Sequence, residues 1–196
     1  GDIVHRIPVN HYGLIGDYSN ALVARRNVDA ISFSISEIPM LRTRPDTLYH
    51  YDAVKNIITP CFTIDHVVSE NQSASTVLYE TSRSYWAYVT LYPNDISSSA
   101  FSVRLTTFNV CVSKKDGNVR RIDRFTDPLL GLSHLFLMMN NGYICISYDP
   151  LELMDALDKV LTQTDLEPDV RKRATDLRNS LHENDNDILI IGKLKQ

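Results

Sequence analysis

The sequence predicts an α+β fold in which a mainly antiparallel β-sheet packs against three or four α-helices. Segments rich in Val, Thr, Tyr and Phe fill the middle third of the chain, whereas apolar residues at helical spacing dominate the last third. The 196 residues, 43% of them hydrophobic, are enough for one ordinary core. We therefore expect an irregular amino-terminal arm over residues 1–27 and a single α+β domain over residues 28–196.

The first elements follow from local patterns. Residues 1–27 mix Gly, Asn, Pro and Tyr without periodicity, which predicts the irregular arm. In the run ISFSIS, residues 31–36, apolar residues alternate with serines, which predicts a half-buried strand with one polar face. Residues 48–58 place apolar side chains at helical spacing between Pro45 and Pro60, and this spacing predicts a short amphipathic helix.

The middle of the chain predicts a sheet. Its strand-like segments are separated by Ser, Asn and Pro clusters and cover residues 61–68, 75–80, 84–92 and 101–113. Asp116-Gly117 lies between the last of these segments and a further alternating run. This pair predicts a tight β-hairpin, because glycine adopts positive φ without steric cost.

The last third predicts helices followed by a returning strand. Asp127-Pro128 precedes a segment, residues 129–139, that is apolar nearly all round, so we expect a helix buried in the core or against a partner subunit. Two amphipathic helices are predicted to begin at Pro150 and Pro168. Strands are expected at residues 143–148 and 187–194.

The hairpin segment KKDGNVRRIDRF, residues 114–125, concentrates positive charge in a chain whose net charge is −4. One interpretation is a solvated hairpin whose charges protect an exposed sheet edge. The other is a patch that binds anionic lipid headgroups or RNA phosphates. The members of this patch would be Lys114, Lys115, Arg120, Arg121 and Arg124.

No motif in the sequence predicts catalysis. Ser133 in GLSHL lacks the second glycine of a nucleophile elbow and falls within a predicted helix. GLIG, residues 13–16, lacks the Lys-Ser/Thr of a phosphate-binding loop, and HENDND, residues 182–187, lacks calcium-loop spacing. We therefore expect a protein without enzymatic activity, catalytic residues, cofactor, metal or small-molecule substrate.

The cysteines also give no indication of a metal site. Cys61, Cys111 and Cys145 are far apart, unlike the closely spaced pairs of structural zinc sites. We expect buried free thiols and a reducing compartment.

A nucleophilic site can nevertheless be written down around Cys61. His50 and His66 flank it, and Asp52 and Asp65 lie nearby in the sequence. Sequence proximity does not fix geometry, so the expected alternative is a packed Cys61 with Asp65 and His66 on the outer face of a strand.

Two segments carry a family resemblance. AISFSISEIPMLRTRPDTLYHYDAV, residues 30–54, resembles the start of the matrix-protein core of negative-strand RNA viruses of the rhabdovirus kind. CFTID, residues 61–65, resembles a strand of bornavirus matrix proteins. Such matrix proteins tend to be basic, and the rhabdoviral ones often carry a Pro-Pro-x-Tyr motif, whereas this chain is acidic and has no such motif.

The resemblance implies a non-enzymatic viral structural protein, located in the virion or the host cytoplasm, that self-associates and links nucleocapsid to membrane. Its implied partners are further copies of the chain, an anionic membrane surface and the viral nucleocapsid or RNA. Arg42 and Arg44 would join the hairpin residues as contact groups. The alternative is a viral accessory protein of the movement or silencing-suppressor type, which binds a host protein or RNA. A hydrolase using Cys61 or Ser133 is a third hypothesis.

Overall fold

The structure is a computed structural model that describes residues 23–25, 28–34, 45–65, 68–93, 105–137 and 139–193. The chain divides into two compact units. The first comprises Gly1–Asp123 with Met139–Gly142 and Gln196, and the second comprises Arg124–Met138 with Tyr143–Lys195. Each unit has its own apolar cluster.

The first unit contains two four-stranded antiparallel sheets. One has the order β1-β2-β3-β4 and is formed by Val23–Arg25, Ile31–Ser34, Asp46–Asp52 and Ile57–Ile64. The other has the order β5-β6-β7-β8 and is formed by Gln72–Glu80, Ser84–Pro93, Thr106–Ser113 and Val119–Ile122. Strand β5 contacts β2 and β3, and this contact joins the two sheets.

The apolar core of the first unit lies between these sheets. Leu48 of β3 is 1% exposed, and it packs in one cluster with Leu78 of β5 and Val89 of β6. Leu78 pairs with Ala87 across β5 and β6, so alternate residues of neighbouring strands present one apolar face. These alternating patterns are the ones that predicted a sheet in the middle of the chain.

The helix predicted over residues 48–58 is wrong, because this segment forms β3, a turn and β4. Asp52 Oδ1 accepts hydrogen bonds from the backbone N–H groups of Val54 and Lys55, both at 3.0 Å, which closes a turn where the helix would continue. Val54 is 96% exposed, so the expected apolar stripe buries nothing there. Pro60 is tolerated because β4 is an edge strand.

The second unit contains two helices, α1 (Pro150–Leu161) and α2 (Pro168–Ser180), and the paired strands β12 (Tyr143–Tyr148) and β13 (Ile188–Lys193). Both helices begin at the predicted prolines. Asp149 Oδ1 caps α1 by accepting a hydrogen bond from Leu151 N at 2.9 Å. The buried face of α1 includes Leu153 and Leu157, each 0% exposed.

The apolar segment 129–139 does not form the predicted helix. The Asp127 carboxylate accepts hydrogen bonds from Leu129 N, Leu130 N and Leu132 N at 2.8–2.9 Å, and Gly131 takes a positive φ of 74°. Together these features form a loop rather than a helix start. The short strands β9 (Phe125–Thr126) and β10 (Ser133–His134) then pair, and β11 covers Met139–Asn140.

An α+β fold with a sheet majority is therefore confirmed, but the three or four helices are not, since the described residues form two. The range 1–27 was expected to be irregular, but residues 23–25 within it form strand β1. The rest of that range lies outside the described residues. Among the described helices, none has the length and apolar character needed to cross a bilayer.

Candidate functional site

The predicted basic hairpin is formed by β7, a tight turn that contains Asp116-Gly117, and β8. Ser113 N donates to Asn118 O at 2.9 Å, and Gly117 takes a positive φ of 71° as the Asp-Gly pair predicted. Hydrogen bonds from Ser113 and Asn118 hold the pKa of Asp116 below its ordinary value. Hydrogen bonds among its own polar residues therefore hold the turn in shape.

An open groove of about 810 Å³ lies beside this turn. Its charged lining consists of four cationic side chains and one carboxylate, namely Arg83, Lys114, Lys115, Arg120 and Asp116. The remaining lining is dominated by small polar residues such as Ser82, Ser84 and Ser113. We call this surface the basic groove, defined by Arg83, Lys114, Lys115 and Arg120. It offers cations and hydroxyl groups, a combination that suits phosphate-containing ligands.

Three of the seven predicted contact residues line the basic groove: Lys114, Lys115 and Arg120. Arg121 lies on the opposite face of β8, because neighbouring residues of a strand point to opposite sides. Its guanidinium lies 4.3 Å from the centroid of the Phe108 ring, and its Nε donates to Asp123 Oδ1 at 2.8 Å.

The remaining predicted contact residues are Arg124, Arg42 and Arg44. Arg124 is exposed and belongs to the second unit. Arg42 and Arg44 lie outside the described residues.

Arg83 is a groove residue that the sequence patterns did not indicate. It lies in the turn between β5 and β6, and its backbone oxygen accepts a hydrogen bond from Lys114 N at 2.9 Å. The pairing of Ser84 with Ser113 brings this turn beside the hairpin. Only the register of β6 against β7 could have shown this proximity, and no local sequence signal encodes it.

A second group of chemically capable side chains surrounds Glu80 at the end of β5. The Glu80 side chain is 0% exposed, and its Oε2 accepts a hydrogen bond from Lys114 Nζ at 2.5 Å. His50 Nε2 donates to the other carboxylate oxygen, Oε1. A buried carboxylate loses its hydrogen bonds to water and needs partners within the protein to replace them. Here one oxygen has a cationic partner and the other has an imidazole.

Cys61 completes this group. Its Sγ, His50 Nε2 or Nδ1, and a Glu80 carboxylate oxygen all lie within 4.8 Å of one another. Cys61 Sγ also donates to Leu48 O at 3.3 Å. Burial, followed by the nearby charge of Glu80, raises the pKa of the Cys61 thiol to about 11. The thiol is therefore protonated at neutral pH, which is unfavourable for a nucleophile.

The Cys-His-Asp group suggested by the sequence is not assembled in that form. His50 does lie beside Cys61, but the carboxylate is that of Glu80. Asp52 and Asp65 are both exposed, and His66 lies outside the described residues. The expected burial of the thiols holds in part, since Cys61 and Cys111 are half-buried whereas Cys145 is exposed.

Aromatic residues pack around the Lys114 side chain. Its Nζ lies 4.6 Å from the centroid of the Tyr85 ring, and Tyr85 stacks on Phe62 with centroids 4.5 Å apart. Burial raises the pKa of Tyr85 above its ordinary value. These contacts fix the ammonium group between an aromatic face and the Glu80 carboxylate.

Ser133 lies in strand β10 rather than in the predicted helix, and it is exposed. The neighbouring His134 is buried, and its Nδ1 is hydrogen-bonded to Tyr148 Oη at 3.1 Å. Burial lowers the pKa of His134. Because the two side chains point to opposite faces of a strand, His134 is not placed to activate Ser133.

Comparisons with protein-family models, with curated proteins and with solved structures found no match to the chain.

Proposed function

We propose that the chain is a non-enzymatic, matrix-like viral structural protein that attaches to anionic membrane surfaces through the basic groove. One observation carries this proposal. Four cationic side chains, one from the β5–β6 turn and three from the β7–β8 hairpin, line one groove in a protein whose net charge is −4. Such local concentration of charge against an acidic background favours a dedicated contact surface over general solvation.

The groove has the physical properties of a headgroup-binding surface. Arg83, Lys115 and Arg120 are exposed, whereas the Lys114 ammonium is paired with the buried Glu80 carboxylate. Each Lys or Arg near an anionic membrane contributes roughly 1 kcal/mol of attraction, and salt screens this attraction. The groove alone would therefore give weak, salt-sensitive attachment of a single copy, and a lattice of copies would strengthen it.

Self-association is the second part of the proposal. On the outward face of the β12–β13 pair, Tyr143, Leu189 and Ile191 are 45%, 59% and 64% exposed. Leu189 and Ile191 are two residues apart in β13 and share one face of the strand. Neighbouring exposed apolar side chains are typical of protein contact surfaces, so they support assembly of further copies and contact with a nucleocapsid.

The absence of enzymatic activity is also proposed. It is supported by the protonated state of Cys61 and by the separation of Ser133 from His134 across a strand. The virion or the host cytoplasm is the corresponding location, and the three free cysteines fit a reducing compartment.

Vesicle co-sedimentation tests the proposal with matched variants. The groove variant is Arg83→Glu/Arg120→Glu, and the control is Arg121→Glu/Arg124→Glu, which makes the same charge change at two residues that do not line the groove. We expect the wild type and the control to sediment with anionic vesicles at low salt but not with neutral vesicles. We expect the groove variant to remain in the supernatant.

Two outcomes would contradict the proposal. Equal loss of binding in both variants would mean that overall charge, not the groove, is responsible. Binding of single-stranded RNA through the groove, without vesicle binding and without concentration-dependent assembly, would favour the accessory-protein alternative.

A further inference from the structure

We propose that His50, Cys61 and Glu80 form a binding site for one divalent transition-metal ion of the zinc class. The three ligand atoms lie within 4.8 Å of one another. Tetrahedral ligands at zinc distances are roughly 3.3–3.6 Å apart, so small side-chain rotations suffice to enclose an ion. We call these three residues the His50–Cys61–Glu80 triad.

A β-bulge places Cys61 in the triad. The pairing of β3 with β4 runs Leu48 with Phe62 and then Tyr49 with Pro60, so Cys61 is the extra residue that no partner faces. Phe62 packs against the core between the sheets, and the bulge allows Cys61 to contact the same cluster instead of pointing away. Bulges that redirect one side chain are a recurrent feature of functional sites.

The donor set indicates which ions fit. An imidazole nitrogen, a thiolate sulfur and a carboxylate oxygen are the three donor types that zinc accepts, and three protein ligands leave a fourth position for water or another ligand. The sulfur disfavours Mg²⁺ and Ca²⁺, which prefer oxygen ligands. On binding, the thiol S–H bond breaks, a sulfur–metal bond forms and the proton is released to solvent.

The surroundings support an ion at this position. Lys114 already holds Glu80 Oε2, which leaves Oε1 to face the imidazole and the ion. Such contacts to the outer oxygen of a ligand orient it and tune the site. The ion would replace the direct His50–Glu80 contact, and its two charges would balance the thiolate and the carboxylate.

An ion can reach the triad from solvent through His50. The His50 side chain is 30% exposed and lines an open concavity of about 580 Å³ together with Asp52 and Thr59. Glu80 and Cys61 lie deeper, at 0% and partial exposure. The triad is therefore accessible on one side and shielded on the other, as an exchangeable metal site requires.

Cobalt(II) titration of the reduced, chelator-treated full chain tests the site. We expect one equivalent of Co²⁺ to produce a thiolate-to-metal charge-transfer band with tetrahedral visible bands, and Zn²⁺ to remove both by displacement. Cys61→Ser should lose the charge-transfer band, and His50→Gln should weaken binding at least about tenfold. Cys111→Ser is the matched control, because Cys111 is also half-buried in the first unit, and it should retain the band.

Absence of the band in the wild type, or its persistence in Cys61→Ser, would overturn the proposal. Far-ultraviolet circular dichroism verifies that each variant is folded. If Cys61→Ser does not fold, His50→Gln decides, since His50 is partly exposed and its replacement leaves Cys61 in place. The two tests can fail separately, because the groove variant changes Arg83 and Arg120 and the metal variants change His50 and Cys61, which do not line the basic groove.

Discussion

Lys114 Nζ lies 2.5 Å from Glu80 Oε2, and the Glu80 side chain is fully buried. This pair changes the meaning of the basic hairpin, because one of its five cations compensates a buried charge instead of facing solvent alone. Among the hairpin cations that line the groove, Lys114 is thus paired with a buried carboxylate, whereas Lys115 and Arg120 remain exposed. Substitutions at neighbouring positions should therefore have different effects.

The first prediction concerns stability. Lys114→Met removes the cationic partner of Glu80 and leaves a buried carboxylate with only His50, so the free energy of unfolding should fall by about 3 kcal/mol. Lys115→Met makes the same change at an exposed neighbour and should stay within about 0.5 kcal/mol of the wild type. Urea unfolding measures both. Equal midpoints for the two variants would show that the Lys114–Glu80 pair contributes nothing.

The second prediction concerns the groove. Arg120→Ala should weaken partitioning onto anionic vesicles about fivefold, which corresponds to roughly 1 kcal/mol for one cation near the surface. Arg121→Ala, one residue further along β8, should leave partitioning unchanged, since Arg121 packs on Phe108 and binds Asp123. Vesicle titration at low salt measures the difference. A larger effect at Arg121 than at Arg120 would place the contact surface on the other face of the strand.

The third prediction concerns thiol reactivity. Because burial raises the pKa of Cys61 to about 11, its thiolate is scarce at neutral pH and increases about tenfold for each pH unit up to that value. Cys145 is exposed and should be alkylated first at pH 7.5. Alkylation followed by peptide mass spectrometry should show Cys61 labelling only between about pH 9 and 11, or after denaturation. Rapid Cys61 labelling at neutral pH would instead revive the nucleophile hypothesis.

The raised pKa of Cys61 also makes the stability of the protein depend on pH. The raised pKa means that the folded state holds the Cys61 proton more tightly than the unfolded state does. Its contribution to stability is therefore complete below about pH 9 and is lost as pH rises toward about 11. Cys61→Ala should remove this part of the pH dependence, whereas Cys145→Ala should retain it.

The elements that the sequence predicted well are those defined by neighbouring residues. Helices α1 and α2 begin at Pro150 and Pro168, where an acidic residue precedes the proline, and both signals act within one helical turn. Asp116-Gly117 likewise defines its hairpin without help from distant residues. Local geometry decides these elements, so a local pattern predicts them.

The errors and omissions have non-local causes. Residues 48–58 show helical spacing, but strand pairing with β2 and the Asp52 turn override it. Glu80 lies 30 residues from His50 and 34 from Lys114, and these three side chains meet only because strands from two sheets converge. The bulge that adds Cys61 to them depends on the register of β3 against β4, which no motif encodes.

The last prediction tests the loop that replaces the expected helix at residues 129–139. Gly131 has a φ of 74°, and a Cβ built there would lie 3.2 Å from Leu166 Cδ1 and from Val160 Cγ1. Gly131→Ala should therefore combine a backbone cost of about 1 kcal/mol with crowding against the second unit's core, for a total loss of about 2–3 kcal/mol. Thermal and urea unfolding measure this loss.

Gly117→Ala provides the control for this change. Gly117 has a similar φ of 71°, but a Cβ there would meet nothing within 4 Å, so only the backbone cost of about 1 kcal/mol applies. The difference between the two variants isolates the crowding. If Gly131→Ala is no more destabilising than Gly117→Ala, the loop does not pack against Val160 and Leu166. If residues 129–139 formed a helix, Gly131→Ala would instead stabilise the protein, because Ala in place of Gly stabilises a helix interior.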